Sequence, residues 1–552
     1  MVQLLDCSLR DGGYINHWQF GESEISYLIR KLSDANVDYV EMGFLNEVIY
    51  ENGSSNFSVI GDAEKVLDHI SKSTKIALMV RPDRYNSKKL SPSCGKIKYL
   101  RIAFYRKDLQ EAVNFAKTAA ENGYKVFFNM VNTAGYTLDQ LRETVVQLAA
   151  VNPYAVTIVD TFGCMNQEDL LERVEVLNAY LPPAVKIAFH PHNNMLMGYS
   201  LAQSFVTALE SCQRDGIVDG SLLGIGRKPG NLPTELIANY LNSIYGETYR
   251  LGEMISVIDK VIEPIKRQND WGYSTAYMLG AAKRINRNYV EYFLEKGISL
   301  EMIRQAVDLI DEENSELFSA AAAEDAYVNA LERWKYSHCA FRMFYKYPVR
   351  KSIGKMNVYD LRYEAGRLMA SSIPEEVIDA IDYIIPIPDT GISYADGFSA
   401  ATGKSIIHKL KKKGIRTFYM DDLRTRETSI ETQIQIDDAE PEIRGKRIAL
   451  IDEAIFSGVT LRIICKKLRE IEAASITVVI PVGLWRTKCN YHELPDHKIL
   501  CDEVSFNDIA RNIGADQLYV QDMRNLREFI QKYDCDICCH CFCDESQSIA
   551  AI

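Results

Sequence analysis

The sequence predicts an α/β protein of two large units, the first a (β/α)8 TIM barrel, and three observations carry that expectation. Eight apolar runs of strand character recur between residues 2 and 224, most of them separated by longer segments with helical spacing such as "DLQEAVNFAKTAAENG". Runs that are apolar throughout imply a parallel sheet covered by helices on both faces, and eight repeats in that length favour a closed barrel over an open doubly wound sheet. The full chain of 552 residues, 47% hydrophobic, is long enough to bury a second core.

In order, the strand runs are "VQLLDCSL", "VDYVEMGF", "KIALMV", "IKYLRIAF", "YKVFFNMV", "YAVTIVDT", "VKIAFHPH" and "GIVDGSLLG". Chemistry in such a barrel belongs at the carboxyl ends of the strands. Polar residues gather there: Asp6, Arg10 and Asp11 at the first run, Glu41 on the second, Asp160 on the sixth, His190 and His192 on the seventh. Residues two apart on a strand share a side, so "HPH" can aim both imidazoles at one ion. With the Asp6 carboxylate the set becomes two nitrogens and an oxygen, suited to Mn, Mg, Co or Zn. The plain alternative is a barrel mouth lined by satisfied polar side chains.

Three separated motifs, "LDCSLRDGG" (5–13), "HPHNN" (190–194) and "DGSLLGIGRKPGNLPTE" (219–235), together resemble the DRE-TIM metal-dependent aldolases and acyl transferases, which include 4-hydroxy-2-oxovalerate aldolase and hydroxymethylglutaryl-CoA lyase. The resemblance spans about residues 1–245. It implies a divalent ion on Asp6, His190 and His192, with Asn231 a further ligand, and a 2-oxo acid as substrate. Arg10, next to Asp11, would stabilise the enolate oxygen, where a fixed cation is worth more in the transition state than in the ground state. The hydroxy-oxovalerate branch carries a histidine three residues after the aspartate of "LRDG", and this chain has Tyr14. Tyr14, His17 or water are the alternatives for acid and base. "GIGRKPGN" lacks the cysteine loop of the hydroxymethylglutaryl lyases, which argues against a thioester substrate. Residues 246–335 show helical spacing and are expected to form an appendage and connector.

In the second half, "RIALIDEAIFSGVTLR" (447–462) passes from an apolar strand through a small-residue loop into a helix. Backbone N–H groups at such a loop cradle phosphate, while Asp452 and Glu453 can hold ribose hydroxyls or Mg. A generic α/β loop is the plain alternative. With "VYDLRYEAGRLMA" (358–370), "IIPIPDTGISYADGFSAATG" (384–403), "GIRTFY" (414–419) and "IGADQLYV" (513–520), the stretch resembles the type I phosphoribosyltransferase domain of the glutamine phosphoribosyl-pyrophosphate (PRPP) amidotransferases. The resemblance places this domain at 336–534 and a cysteine-rich tail at 535–552. It implies ribose binding by Asp452 and Glu453, 5-phosphate binding by Ser457, Gly458, Val459 and Thr460, and a pyrophosphate loop of Pro388, Asp389, Thr390 and Gly391, with Mg on PRPP.

Two departures matter. The chain opens on a barrel where that family has a glutaminase, so ammonia or an amine would come from a separate donor. Ser457 stands where the family has an arginine.

Thirteen cysteines include five in "CDICCHCFCDE" (535–545). Some amidotransferases hold a [4Fe–4S] cluster, and the matching positions here are Cys339, Cys489, Cys538 and Cys541. Zinc is the rival, with His540 nearby and Cys535, Cys539 and Cys543 competing. The net charge of −12 argues against nucleic acid as a partner, although "KLKKKGIR" (409–416) is a local anion candidate. No apolar run reaches the roughly 18 residues of a membrane span, and the amino terminus lacks signal-peptide features. A cytoplasmic, self-associating, multifunctional enzyme is expected: an aldolase or lyase fused to a phosphoribosyltransferase. The alternative keeps the aldolase and makes the second half a nucleotide-sensing regulatory module.

Overall fold

The computed structural model describes residues 1–67, 73–246, 248–353, 355–412, 423–436, 440–487, 489, 499–533 and 537–542. It divides into two compact units, Met1–Val328 and Asn329–Ile552. Residues 413–416 of the basic run, the segment 414–419, Cys535 and Cys543 lie outside the described residues. No helix among the described residues is long and apolar enough to cross a membrane.

The first unit contains the barrel. Its strands are β1 (Val2–Asp6), β2 (Tyr39–Leu45), β3 (Lys75–Val80), β4 (Ile97–Phe104), β5 (Lys125–Met130), β6 (Ala155–Asp160), β7 (Lys186–Pro191) and β8 (Gly216–Gly220). Each pairs in parallel with the next, and β1 pairs with both β2 and β8, so the sheet closes. A two-residue strand, Asn56–Phe57, adds to the outside of β2.

The period of two along each strand sorts the barrel interior into layers. Toward the amino ends, Tyr39, Tyr99 and Phe127 pack with Leu5, Ala77, Ala155, Ala188 and Ile217 as one buried plug. The three rings meet edge to face, with centroids 5.8, 5.9 and 6.1 Å apart. Two residues further along, on the same side, come Glu41, Arg101, Asn129, Thr157, His190 and Asp219, all buried. One step out of phase, Leu4, Val40, Leu100, Phe128, Phe189 and Val218 face the surrounding helices in the main core. The apolar plug thus serves as the floor of a polar chamber that opens at the carboxyl ends.

Helices follow the barrel from Leu251–Val257 onward, among them Thr275–Ala282, Arg287–Glu295 and Leu300–Val307. Polar contacts tie this appendage to the carboxyl rim. Asn132 after β5 donates to Glu316 (3.3 Å), Arg284 pairs with Asp169 (3.0 Å), and Lys228 in the loop after β8 pairs with Asp270 (3.1 Å).

In the second unit a four-stranded parallel sheet runs β9 (Tyr383–Pro386), β10 (Arg447–Ile451), β11 (Ser475–Ile480), β12 (Gln517–Val520), paired in that order. Alternate residues feed two cores: Ile384, Ala449, Ile451 and Val479 on one face, Ile385, Leu450, Val478 and Ile480 on the other. On the first face the helices Val358–Ala370 and Gly391–Thr402 meet through glycines. A Cβ on Gly397 would sit 1.8 Å from the Tyr363 carbonyl oxygen, so the close approach requires the missing side chain.

Candidate functional site

β1 ends at Asp6, and the chain turns at once into a helical turn, Ser8–Asp11, that carries Arg10 and Asp11 over the chamber. Asp11 Oδ2 lies 3.4 Å from His190 Nε2 and 3.9 Å from His192 Nε2. The three ligand atoms all fall within 4.8 Å of one another. Asp11 Oδ2 and His190 Nε2 are buried with no hydrogen-bond partner, as is Asn231 Oδ1, whose residue forms a backbone bridge with His192. Buried polar atoms left unpaired at one point are what a bound cation satisfies.

The outer nitrogens are anchored. His192 Nδ1 donates to the Asp160 carbonyl oxygen (2.9 Å), which leaves the Nε2 lone pair aimed inward, and His190 Nδ1 meets Asp219 Oδ2 (3.0 Å). Burial, with His190 beside it, drives His192 down to about 3 and keeps it a neutral donor. Burial opposes charge on Asp11, but Arg10 and the two histidines hold its carboxyl well below the ordinary value.

Beneath this group lies an ion network. Arg10 Nε donates to Glu41 Oε2 (2.7 Å) and its Nη1 meets Asp11 Oδ1 (2.8 Å). The fully buried Arg101 reaches Glu41 Oε2 (3.1 Å) and, more closely, Asp219 Oδ2. Asp219 is held low by Arg101 and His190 against the effect of burial. A chain of opposite charges therefore runs from Arg10 through Glu41, Arg101 and Asp219 to His190.

The structure differs from expectation at Asp6. Leu5 and Cys7 face the barrel interior, so Asp6 between them points the other way. Its carboxylate accepts from the Ser8 amide and hydroxyl (both 3.0 Å) and from Thr234 Oγ1 (2.6 Å), pinning the first loop to the one after β8. Burial raises it to about 6. Asp11, expected as a polar neighbour of Arg10 at the first run, takes the place given to Asp6. Asp160 offers its carbonyl to His192 while its carboxylate caps the Cys164 and Met165 amides.

Tyr14 packs on Trp18 (4.7 Å) and Phe44 (6.1 Å), with Arg227 over its ring at 3.8 Å. His17 is exposed, in left-handed conformation at the end of the turn Gly13–Asn16. The parts that the sequence reading missed are Arg101, Asp219, Arg227 and Arg287. The first two were visible as charged residues two steps beyond interior positions of apolar strands.

In the second unit one pocket is lined by Pro388, Asp389 and Thr390 after β9 and by Asp452, Glu453 and Ser457 to Thr460 after β10. Gly391 starts the adjoining helix, and Gly458, at φ +69°, caps the helix Val459–Glu470. Burial and the neighbouring Glu453 carboxylate push Asp452 well above the ordinary value. Lys412, Phe341, Trp485 and Phe542 complete the wall.

Cys339 and Cys538 form a backbone bridge, and Arg486 N donates to Cys541 O (2.7 Å), drawing the tail against the segment near Cys489. The Cys541 thiol is raised by a hydrogen bond with Cys489 and then by burial; burial lifts Cys339 to about 11. Among the described residues no three of these sulfurs lie within 4.8 Å of one another.

A family model described as HMGL-like matches residues 96–261, from β4 through β8 into the appendage. The barrel carries an HMGL-like domain. The chain is 26% identical over 245 residues to a 4-hydroxy-2-oxovalerate aldolase of Thermomicrobium roseum, covering 44% of this chain and 67% of that one. A solved structure, the N-terminal domain of a putative aldolase from Bacteroides vulgatus, aligns at 25% identity and a TM-score of 0.47, over 53% of this chain and 96% of that one. A further match is 30% identical over 190 residues to an amidophosphoribosyltransferase of Pyrococcus horikoshii, over 34% of this chain. It spans only 40% of that relative's length.

Proposed function

We propose that the barrel is a divalent-metal aldolase that cleaves or forms the bond between C3 and C4 of a 4-hydroxy-2-oxo acid. The observation that carries this reading is the convergence of three outwardly anchored ligand atoms, from the buried Asp11 and His190 and the partly buried His192, beside a fixed guanidinium. A cation there supplies Lewis-acid polarisation of the 2-oxo group. The unpaired Asn231 Oδ1 supports a fourth ligand.

The chain's own groups divide the remaining work. A base takes the proton of the C4 hydroxyl, the electrons of the breaking C3–C4 bond move into the 2-oxo group, and an aldehyde leaves. Arg10, held by Glu41 and Asp11, is oriented to donate to the enolate oxygen as charge develops. Protonation at C3 then completes the 2-oxo acid. Tyr14 is the better acid and base of the two side chains considered, since it packs on Phe44, over which Arg10 also lies, while His17 is exposed. The test is solvent exchange: protein loaded with Mn should wash deuterium from D2O into the methyl group of pyruvate, and Arg10→Gln should slow it at least about a hundredfold, the loss typical of one oxyanion donor. Absence of exchange with every divalent ion would overturn the proposal.

For the second unit we infer a PRPP site that uses Asp389 and Thr390 for pyrophosphate with Mg, Asp452 and Glu453 for ribose, and the loop Ser457–Thr460 for the 5-phosphate. Lys412 in the same pocket supports a working transferase by supplying a cation despite Ser457. Ammonia or an amine would displace pyrophosphate. The regulatory-module alternative is decided by pyrophosphate release from PRPP, with Asp452→Asn as control. Cys339, Cys489, Cys538 and Cys541 are proposed to hold a [4Fe–4S] cluster. A tetrahedral zinc site on the same thiolates is the alternative, and metal analysis of the purified protein decides between them.

A further inference from the structure

Two arginines that the aldol chemistry above does not use stand at the mouth of the barrel chamber. Arg227, in the loop after β8, lies with its Cζ 3.8 Å over the ring of Tyr14 and has no carboxylate within 4.0 Å among the described residues. Arg287 is the first residue of the helix Arg287–Glu295 in the appendage, and its nearest carboxylate, Glu291, is at 4.0 Å. That helix is held against the rim: Asn286 Nδ2 donates to Glu316 O (2.9 Å), and Glu316 in turn accepts from Asn132 after β5 (3.3 Å).

A cation at the amino end of a helix works against the helix dipole, and a second cation nearby adds repulsion. The Arg287 guanidinium is pushed down to about 10, first by burial and then by Arg227, with Glu291, Tyr14 and Asp11 acting in the opposite direction. Tyr14, beneath Arg227, packs on Phe44, over whose ring Arg10 lies at 5.9 Å, so the pair adjoins the wall of the chamber, and an anion held by the two guanidiniums would relieve their repulsion.

We propose that Arg227 and Arg287 bind an oxyanion on the aldehyde half of the substrate, a carboxylate or a phosphate, so that the natural 4-hydroxy-2-oxo acid carries a second anionic group. The inference rests on the aldolase reading for its location. The metal and Arg10 serve the 2-oxo acid end, which leaves the arginine pair for the far end. Planar guanidiniums suit both oxyanions.

Two measurements on the full chain test it. Calorimetric titration of the Mn-loaded protein with malonate and with inorganic phosphate should give binding that Arg227→Gln and Arg287→Gln each weaken by about ten- to a hundredfold, the range for a hydrogen bond to a charged group. The stronger ligand identifies carboxylate or phosphate as the source. Cleavage of 4-hydroxy-2-oxo acids ending in a methyl, a carboxylate or a phosphate should favour one anionic compound at least tenfold in kcat/KM, with the advantage carried by KM and reduced in both variants. Arginine-to-lysine variants should recover part of the binding. Anion binding unaffected by either substitution, or equal losses on all three substrates, would overturn the proposal. Loss of pyruvate deuterium exchange in the unsubstituted protein would instead remove the aldolase reading, while the titration would still decide whether the arginines bind an anion.

Discussion

Replacing Arg101 with Leu should destabilise the barrel more than any other single change in the chamber. Arg101 is fully buried and sits between Glu41 and Asp219, whose carboxylates are also shielded from water. The leucine keeps much of the volume but leaves two buried carboxylates without their common cation. Breaking a buried pair in this way costs about 3–5 kcal/mol, because an uncompensated charge remains. The loss also has a pH signature. Asp219 is held below its ordinary value in the folded protein, so it contributes stability above the unfolded carboxylate pKa of about 3.9, which is lost as pH falls through the folded value. Arg101→Leu should therefore cost most near pH 7, and the gap to the unsubstituted protein should narrow as acid protonates the carboxylates. Asp219→Asn in the Arg101→Leu background should recover part of the loss, a coupling that a double-mutant cycle in urea reads directly. A cost below about 1 kcal/mol at pH 7, or one independent of pH, would refute the buried charge chain.

Asp6→Asn should leave Mn affinity within a few-fold and Asp11→Asn should lower it by at least about a hundredfold, read by Mn titration; the ligand set above assigns those roles. Because burial raises Asp6 to about 6, its neutral form is the favoured one in the fold, so Asp6→Asn should also remove the loss of stability that Asp6 causes as pH rises from about 4 to 6. Gly397→Ala should push two helices of the second unit apart and cost about 1–3 kcal/mol, seen as an earlier thermal transition of that unit. Cys541→Ser should lower the iron content of anaerobically purified protein, with zinc content the discriminating control.

The barrel was legible because its physics is local and repetitive: eight apolar runs and intervening helices announce a parallel sheet, and "HPH" announces two imidazoles on one side of β7. The same period of two would have excluded Asp6, since Leu5 and Cys7 take the interior positions on either side of it. What brings Asp11 to the histidines is the tight turn after β1, and neither composition nor periodicity reports the direction of a turn. Arg101 was visible as a charge inside "YLRIAF", but its partners Glu41 and Asp219 come from distant strands. Arg287 could not be placed at all from its own neighbourhood, because its position depends on an appendage folding back onto the rim. In the second unit the loops after β9 and β10 were legible as phosphate-cradling turns, whereas Lys412 and Phe542 reach that pocket from remote segments.

A catalytic divalent ion held by Asp11, His190 and His192 makes turnover depend on the metal and on each ligand. The most direct measurement is pyruvate formation from a 4-hydroxy-2-oxo acid by chelator-stripped protein before and after addition of Mn, alongside Asp11→Asn. Turnover that appears only with metal and falls at least about a thousandfold in the variant, roughly 4 kcal/mol of transition-state stabilisation, is the expected result. Cleavage that proceeds without metal, or that survives the loss of Asp11, would contradict it.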